Sequence, residues 1–306
     1  MKKFFIRIVM FTGCFFILDK GFLLVRNSAP DREVDRRLEM IVTGKIQSDV
    51  LIYGSSRGAR SIIAKVFSDS LGISAYNLSF PGSNIIFHEF LLRLTLETKG
   101  NKKPKTVILV VDDSDELKVA KSLKFRLDRM YPLLKYREIR KELVKQKEKK
   151  PILNELFVIH QLNKSNFLFK KRRFNANDSI MPCGSMPILN QKKTFDKIFN
   201  KDNFIYSPKG ELVQKRNALA SITNYCKTNN IELILALPPN FKFVTIGFAD
   251  RLKTLTNGYA TVWQYDQKNL VYSNPDYFFD NHHLRTNGSY VFTNELVKFY
   301  AKQHKL

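Results

Sequence analysis

Acidic residues are scarce in this chain: 28 Asp and Glu stand against 51 Lys and Arg, a formal net charge of +23. That balance implies attraction to anionic surfaces, namely phospholipid head groups, acidic glycans or nucleic acid. Nucleic acid lacks its signatures, since there is no zinc-finger spacing and no P-loop. Cysteine is scarce too. Of Cys14, Cys183 and Cys226, the last two could pair in an oxidising compartment, although buried free thiols are the simpler state. No Cys/His cluster has metal-ligand spacing. Internal repeats and low-complexity tracts are missing, and 44% hydrophobic residues over 306 positions speak against global disorder. One large domain with an insertion, or two small ones, fits the length.

A long uninterrupted apolar run is also missing, but one end comes close. "MKKFFIRIVMFTGCFFILDKGFLLV" opens the chain. A spanning helix needs roughly 20 apolar residues. Phe4 to Leu18 supplies fewer, but Arg7 can snorkel and Gly21 to Val25 can extend the span. Lys2, Lys3 and Arg7 favour an inside N-terminus and export of the rest of the chain. No clear small-x-small cleavage site comes after the run, and the apolar "FFIL" after Cys14 argues against a lipoprotein box at "FTGC". The reading is an uncleaved signal-anchor helix over residues 1–26, with an exported domain over 27–306 on the periplasmic or extracellular side.

Short apolar runs then alternate with helical spacing. "DVLIYG" reads as a buried strand closed by Gly54. Ala59 to Ser70 has helical spacing, "SAYNLSF" is a second strand ended by Pro81-Gly82, and Asn84 caps a helix through "NIIFHEFLLRLTLET". "KTVILVVDD" is a third strand. This order predicts an α/β fold with a parallel sheet. Residues 115–205 break the pattern. They are basic and aromatic, lack clean strands, and read as an insertion on or beside the sheet. Within them, Lys135 to Lys150 is a solvated helix and loop with eight Lys/Arg and three Glu. "KKRR" at Lys170 to Arg173 adds positive charge. Alternation resumes after Gly210 with "IELILALPP", "ATVWQYD" and a last helix after Thr286.

Two places carry chemistry. Gly54-Ser55-Ser56-Arg57-Gly58 fits G-x-S-x-G, and the plain alternative is a strand-to-helix turn in which Ser55 or Ser56 caps the helix. Near the other end, "YFFDNHHLRTNGSY" places Asp280 three residues before His283. A serine hydroxyl needs a base within hydrogen-bond reach, and that base needs an orienting acceptor. A three-residue spacing in a turn can supply one ring nitrogen with a carboxylate while the other nitrogen faces the serine. The plain alternative is a polar loop before a helix. A metal site from Asp280, His282 and His283 is a further alternative, with nothing else in the chain to complete it.

The nucleophile comes after the first strand, and acid and base are nearly adjacent. In that layout the chain resembles the SGNH (GDSL-type) hydrolase superfamily. Gly54-Ser55-Ser56 matches its first block, with Ser55 where the family has Asp. "NLSFPGSN" with Gly82 matches the second, and "DNHHLRTNG" the last. The resemblance covers roughly residues 48–113 and 205–303. It implies a three-layer α/β/α parallel sheet, Ser56 as nucleophile, His283 as general base and acid, and Asp280 as orienting carboxylate. The oxyanion donors would be the backbone N–H groups of Ser56 and Gly82, and neither cofactor nor metal is implied. The third block departs: Asp112-Asp113-Ser114-Asp115 has no asparagine, and an ionised Asp cannot donate. Asn84 or Asn77 are the candidate substitutes. Altered third blocks occur in membrane-anchored relatives linked to cell-envelope acylation. The resemblance therefore implies acyl transfer to, or removal from, a cell-surface polysaccharide, with a membrane-bound acyltransferase as candidate partner and no nucleic acid. The alternative is a catalytically weak domain that binds an anionic glycan or that partner.

Overall fold

The computed structural model describes residues 1–112, 116–172, 179–189, 202–241 and 243–306. Their contacts divide the chain into two compact units: residues 43–125 with 174–306, and residues 1–42 with 126–173.

In the larger unit the strands are β1 (Val50–Tyr53), β2 (Ala75–Asn77), β3 (Thr106–Val110), β4 (Asp202–Ile205), β5 (Glu232–Leu237), β6 (Phe243–Ile246) and β7 (Thr261–Gln264). Five of them form one parallel sheet in the order β2-β1-β3-β5-β7. Both β1 and β3 are buried at every position, as strands covered on both faces must be. Successive side chains point to opposite faces. Val50, Ile52, Ile108 and Val110 join a core with Phe292 and Leu296 of the final helix, Thr286–His304, and with Phe67 of the helix Lys65–Leu71. On the other face the Tyr53 hydroxyl donates to Thr95 (3.1 Å) in the helix Ile85–Glu97. That helix packs against the helix Val213–Thr228. The expected three layers are therefore present. Because the strands are parallel, the loops after β1, β2, β3 and β5 all leave from the same edge, where open α/β sheets hold their ligands.

Two local expectations need correction. The helical spacing from Ala59 to Ser70 resolves into two helices, Ser56–Ser61 and Lys65–Leu71. Between them Ile62 is extended, and borrowed acceptors satisfy the freed amides: Ile63 N–H donates to Thr293 Oγ1 (3.0 Å) and Ala64 N–H to Ser185 Oγ (2.9 Å). The stretch 115–205 does contain a strand, because β4 pairs in parallel with β6. All four β4 residues are exposed, so no burial pattern marked them in advance. The three cysteines are all free.

The smaller unit begins with the helix Lys2–Gly21, part of a helical stretch from Lys2 to Arg32 that is long and apolar enough to cross a membrane. Residues 33–39 belong to the same unit and are held by polar ties within it. Asp35 and Arg37, both fully buried, pair at 2.7 Å. Arg172 pairs with Glu33 at 3.2 Å, and the Tyr136 hydroxyl donates to Glu39 at 2.8 Å. The basic stretch forms the helix Arg137–Lys145, with Ile139 and Leu143 turned inward.

The larger unit's core gives a direct test. Phe292 is fully buried, with its ring 5.1 Å from that of Trp263. Phe292→Ala is expected to cost about 3–5 kcal/mol of unfolding free energy, read as a lowered urea midpoint. A midpoint unchanged from wild type would contradict this packing.

Candidate active site

The turn after β1 divides its labour between two adjacent serines. Gly54 closes the strand because a Cβ there would lie 2.9 Å from the Cβ of Val110. Ser55 is extended, and its Oγ accepts the Arg57 N–H at 3.2 Å, capping the helix Ser56–Ser61. Ser56, at the first helical position, is left without a capping duty. Its Oγ lies 2.8 Å from His283 Nε2.

His283 stands on a short loop pinned at both ends. Phe278 and Leu284, both fully buried, form a bridge, and Phe279 N–H donates to His283 O (2.8 Å). The polar residues between them bulge outward. Phe241 N–H donates to Asn281 O (3.0 Å), tying the loop to the segment after β5. Within the loop, Asp280 Oδ1 accepts the backbone N–H groups of His282 and His283, each at 2.8 Å. Both Asp280 oxygens lie within 2.9 Å of His283 Nδ1. Partial burial pushes the Asp280 carboxyl up. The hydrogen bond and charge of His283 and the two backbone N–H groups outweigh it, and the carboxyl ends well below the usual range. The structure thus brings Ser56, His283 and Asp280 into one hydrogen-bonded line, with the Nδ1 proton held by the carboxylate and Nε2 turned to the hydroxyl.

Behind the turn lies a buried polar cluster that the sequence reading missed. The Ser55 hydroxyl donates to Asp112 Oδ2 in a short contact. Arg57 Nε lies 3.8 Å from Asp112 Oδ1, while Arg57 Nη2 donates to the carbonyls of Pro238 (2.7 Å) and Pro239 (3.0 Å). The ends of β1, β3 and β5 are therefore laced together by three side chains. Asp113, Ser114 and Asp115 lie outside the described residues. Glu116 is fully buried and its Oε2 accepts the Asp112 N–H at 3.3 Å. Burial, and then the Asp112 carboxylate, push Glu116 up to about 8, against the pull of Lys215.

The second loop is a tight turn. Ser83 N–H donates to Phe80 O (3.1 Å) across Pro81-Gly82, and Gly82 has φ +74°. Pro then Gly at the two central positions, with φ positive at the second, is the pattern of a type II turn. Ser83 Oγ lies 2.7 Å from Nε2 of His88, which is fully buried. Burial, and then Lys215, push His88 down to about 3, so it serves as a neutral post under the turn. Among the described residues, neither the Ser56 nor the Gly82 N–H has an acceptor. Asn84 caps the helix Ile85–Glu97 through its Oδ1, which accepts the Phe87 N–H at 3.2 Å. Its Nδ2 makes no hydrogen bond among the described residues. Asn77 is spent: its Nδ2 donates to Gly58 O (3.0 Å) and Ile62 O (2.9 Å), and its Oδ1 accepts from Ser79 N–H. It has no donor left for a ligand, so it is no substitute for the missing asparagine.

His282 turns away from the line, with Nδ1 3.0 Å from Asn240 Oδ1. Among the described residues, no group of three His, Cys, Asp or Glu is placed to hold a metal ion.

No protein-family model matches the chain, and no curated protein does. Among solved structures it is similar to the psychrotrophic esterase EstA from Pseudoalteromonas sp., inhibited by monoethylphosphonate. That likeness has 11% identity and a TM-score of 0.41, covering 84% of this chain and 98% of that one. A provisionally named platelet activating factor from Streptococcus pneumonia gives 11% identity and a TM-score of 0.40, over 92% and 96%. A provisionally named acylhydrolase from Bacteroides fragilis gives 11% and 0.38, over 88% and 96%. Superpositions this loose leave the side chains of the site as the basis for any function.

Glu116 makes the cluster sensitive to pH. Its folded-state carboxyl holds a proton up to about pH 8, whereas the unfolded chain releases it near its ordinary 4.5. Between those values the native state carries the extra proton, so stability falls as pH rises. Glu116→Gln removes that slope. The variant's melting temperature, relative to wild type, is expected to rise steadily across this window in thermal melts. Parallel curves would show that Glu116 is ionised in the folded protein.

Proposed function

We propose that the larger unit is a serine acyl-ester enzyme in which Ser56 is the nucleophile, His283 the general base and acid, and Asp280 the orienting carboxylate. The observation that carries this reading is the 2.8 Å approach of Ser56 Oγ to His283 Nε2, with Asp280 2.8 Å from the other ring nitrogen. Ser56 Oγ attacks the ester carbonyl while Nε2 takes its proton. Asp280 stabilises the imidazolium that forms and fixes its tautomer. The tetrahedral oxyanion is received by the N–H groups of Ser56 and Gly82, with Asn84 Nδ2 as an additional donor. One such donor is worth about 3 kcal/mol of transition-state stabilisation. Collapse expels the alcohol, which collects the proton from Nε2, and leaves an acyl-Ser56 ester. Water or a sugar hydroxyl, deprotonated by His283, then takes the acyl group.

The acceptor we assign is a hydroxyl of a cell-envelope polysaccharide, reached from the outer side of a membrane in which the helix Lys2–Gly21 is anchored. The apolar N-terminal stretch and the net charge of +23 support that setting. A membrane-bound acyltransferase would serve as acyl donor. One observation favours a second reading, a binding domain without turnover: the Asp at position 112, where the resemblance expects a donor, is an acceptor engaged with Ser55 and Arg57.

The two readings part on labelling. A fluorophosphonate is expected to modify the full-length protein, with Ser56→Ala and His283→Ala unlabelled and a peptide carrying the adduct at Ser56. Labelling of Ser56→Ala equal to wild type would falsify the assignment, and no labelling of wild type would favour the binding domain. Asp280→Asn keeps the shape but loses the charge, and its turnover of an acyl ester is expected to fall by about 10³–10⁴. Incubation with an acyl donor and a glycan, read by mass spectrometry of the sugar, separates transfer from hydrolysis.

A further inference from the structure

The smaller unit carries a feature that the proposed chemistry leaves unused. From Phe4 to Leu18 the N-terminal helix rises about 22 Å, short of the roughly 30 Å hydrocarbon core of a bilayer. Asp19 then interrupts the apolar run, yet it is fully buried, and its carboxylate accepts the N–H groups of Val158 (2.8 Å) and Ile159 (2.9 Å). Lys20 Nζ donates to Leu156 O at 3.1 Å. The Phe157 ring stacks on Phe16 at 5.4 Å and meets Phe15 edge-on at 5.8 Å. Residues 156–159 thus flank the helix at the level of its last apolar turn. They satisfy the Asp19 carboxylate with backbone hydrogen bonds and set an aromatic ring beside the helix.

That surface is exposed. On the helix Pro151–Leu156, Ile152 is 72% exposed and Leu156 is exposed one turn later. Ile159 is exposed too, as are Leu168 and, with the Arg32 guanidinium 5.0 Å from its ring centre, Phe169 at 69%. The other side of the same short helix faces charge. Asn154 and Glu155, with Gln161, line a cavity of about 430 Å³ together with Arg137, Arg140 and Lys141. Arg26, just beyond the N-terminal helix, donates to Gln161 at 2.9 Å. Three cations therefore line a space in which Glu155 is the one lining carboxylate among the described residues, and Arg26 adjoins it through Gln161. An apolar side and a cationic side of one short helix, next to segments that pack on an apolar anchor, match the layering of an anionic leaflet: acyl chains, then phosphates.

We propose that this unit is a seat on anionic phospholipid. Ile152, Leu156 and Phe169 enter the acyl layer, and Arg137, Arg140 and Lys141 hold a lipid phosphate at the cavity.

The test uses the full-length protein in vesicles of phosphatidylcholine and phosphatidylglycerol, with either lipid brominated on its acyl chains. Trp263 is the one tryptophan of the chain, so wild type supplies the baseline. Ile152→Trp and Phe169→Trp are expected to lose their added emission to brominated lipid as Leu18→Trp does. Leu270→Trp, on the larger unit, keeps its own. The loss at 152 is expected to be greater when phosphatidylglycerol carries the bromine. Arg137→Gln combined with Lys141→Gln is expected to erase that preference while leaving the depth unchanged. Emission at 152 and 169 spared as at 270 would overturn the seat and point to a protein or glycan partner instead. Equal loss from the two lipids would overturn the phosphate cavity. If Leu18→Trp also escapes quenching, the anchor is not in the bilayer and the proposal falls with it.

Discussion

A single hydrogen bond spans almost the whole larger unit: Ser56 Oγ to His283 Nε2, 227 residues apart in sequence. Nothing local could hold it. The parallel sheet does, because every parallel strand delivers its succeeding loop to the same edge. β1 sits between β2 and β3 in a fixed register, Ile52 opposite Asn77 and Ile108, so the turn carrying Ser56 is buttressed from both sides. The loop carrying His283 is set by Phe278 and Leu284, which fill the core shared with β1 and β3. Apolar packing thereby fixes a polar contact to hydrogen-bond length.

Much of that was legible. The short, β-branched apolar runs of β1, β3 and β5, bounded by turn residues, read as buried strands, and Asn84 before an apolar-periodic run reads as a cap. Asp280 and His283 are three apart, so their meeting is a local property of a turn. Other features depended on partners distant in sequence. Ser55 and Asp112 are 57 residues apart, and no pattern within either segment says that one hydroxyl will find the other carboxylate. The break between the helices Ser56–Ser61 and Lys65–Leu71 rests on Thr293 and Ser185, which helical periodicity does not record. The grouping of residues 1–42 with 126–173 brings together partners as far apart in sequence as Arg172 and Glu33. A scan for composition sees only a basic stretch there.

The paired serines show why motif matching alone was ambiguous. Both plain readings of the turn hold at once: one serine caps a helix and the other meets a base. Ser55 takes the cap and also donates to Asp112. Had Ser56 been the cap, its lone pairs would face a backbone amide and His283 Nε2 would lose its contact with the hydroxyl. The division arises from backbone conformation. A capping residue is extended and precedes the helix, as Ser55 does, whereas Ser56 already has helical geometry and an N–H with no intrahelical acceptor.

Asp112 has a bearing on the proposed oxyanion as well. A carboxylate near a developing negative charge would oppose it, at an energy that rises as the local dielectric falls. Here the opposition is cancelled before substrate arrives. Arg57 lies 3.8 Å from Asp112 and Ser55 donates to it. Glu116 beside it holds its proton up to about pH 8, and the buried Lys215 adds a further positive charge. Near neutral pH the cluster behind Ser56 therefore sums to no net negative charge. Ionising Glu116 would cancel the remaining positive charge. The neutrality of that buried carboxyl thus serves two ends: it spares the fold a second buried negative charge beside Asp112, and, in the proposed chemistry, it keeps the field behind Ser56 favourable to an oxyanion.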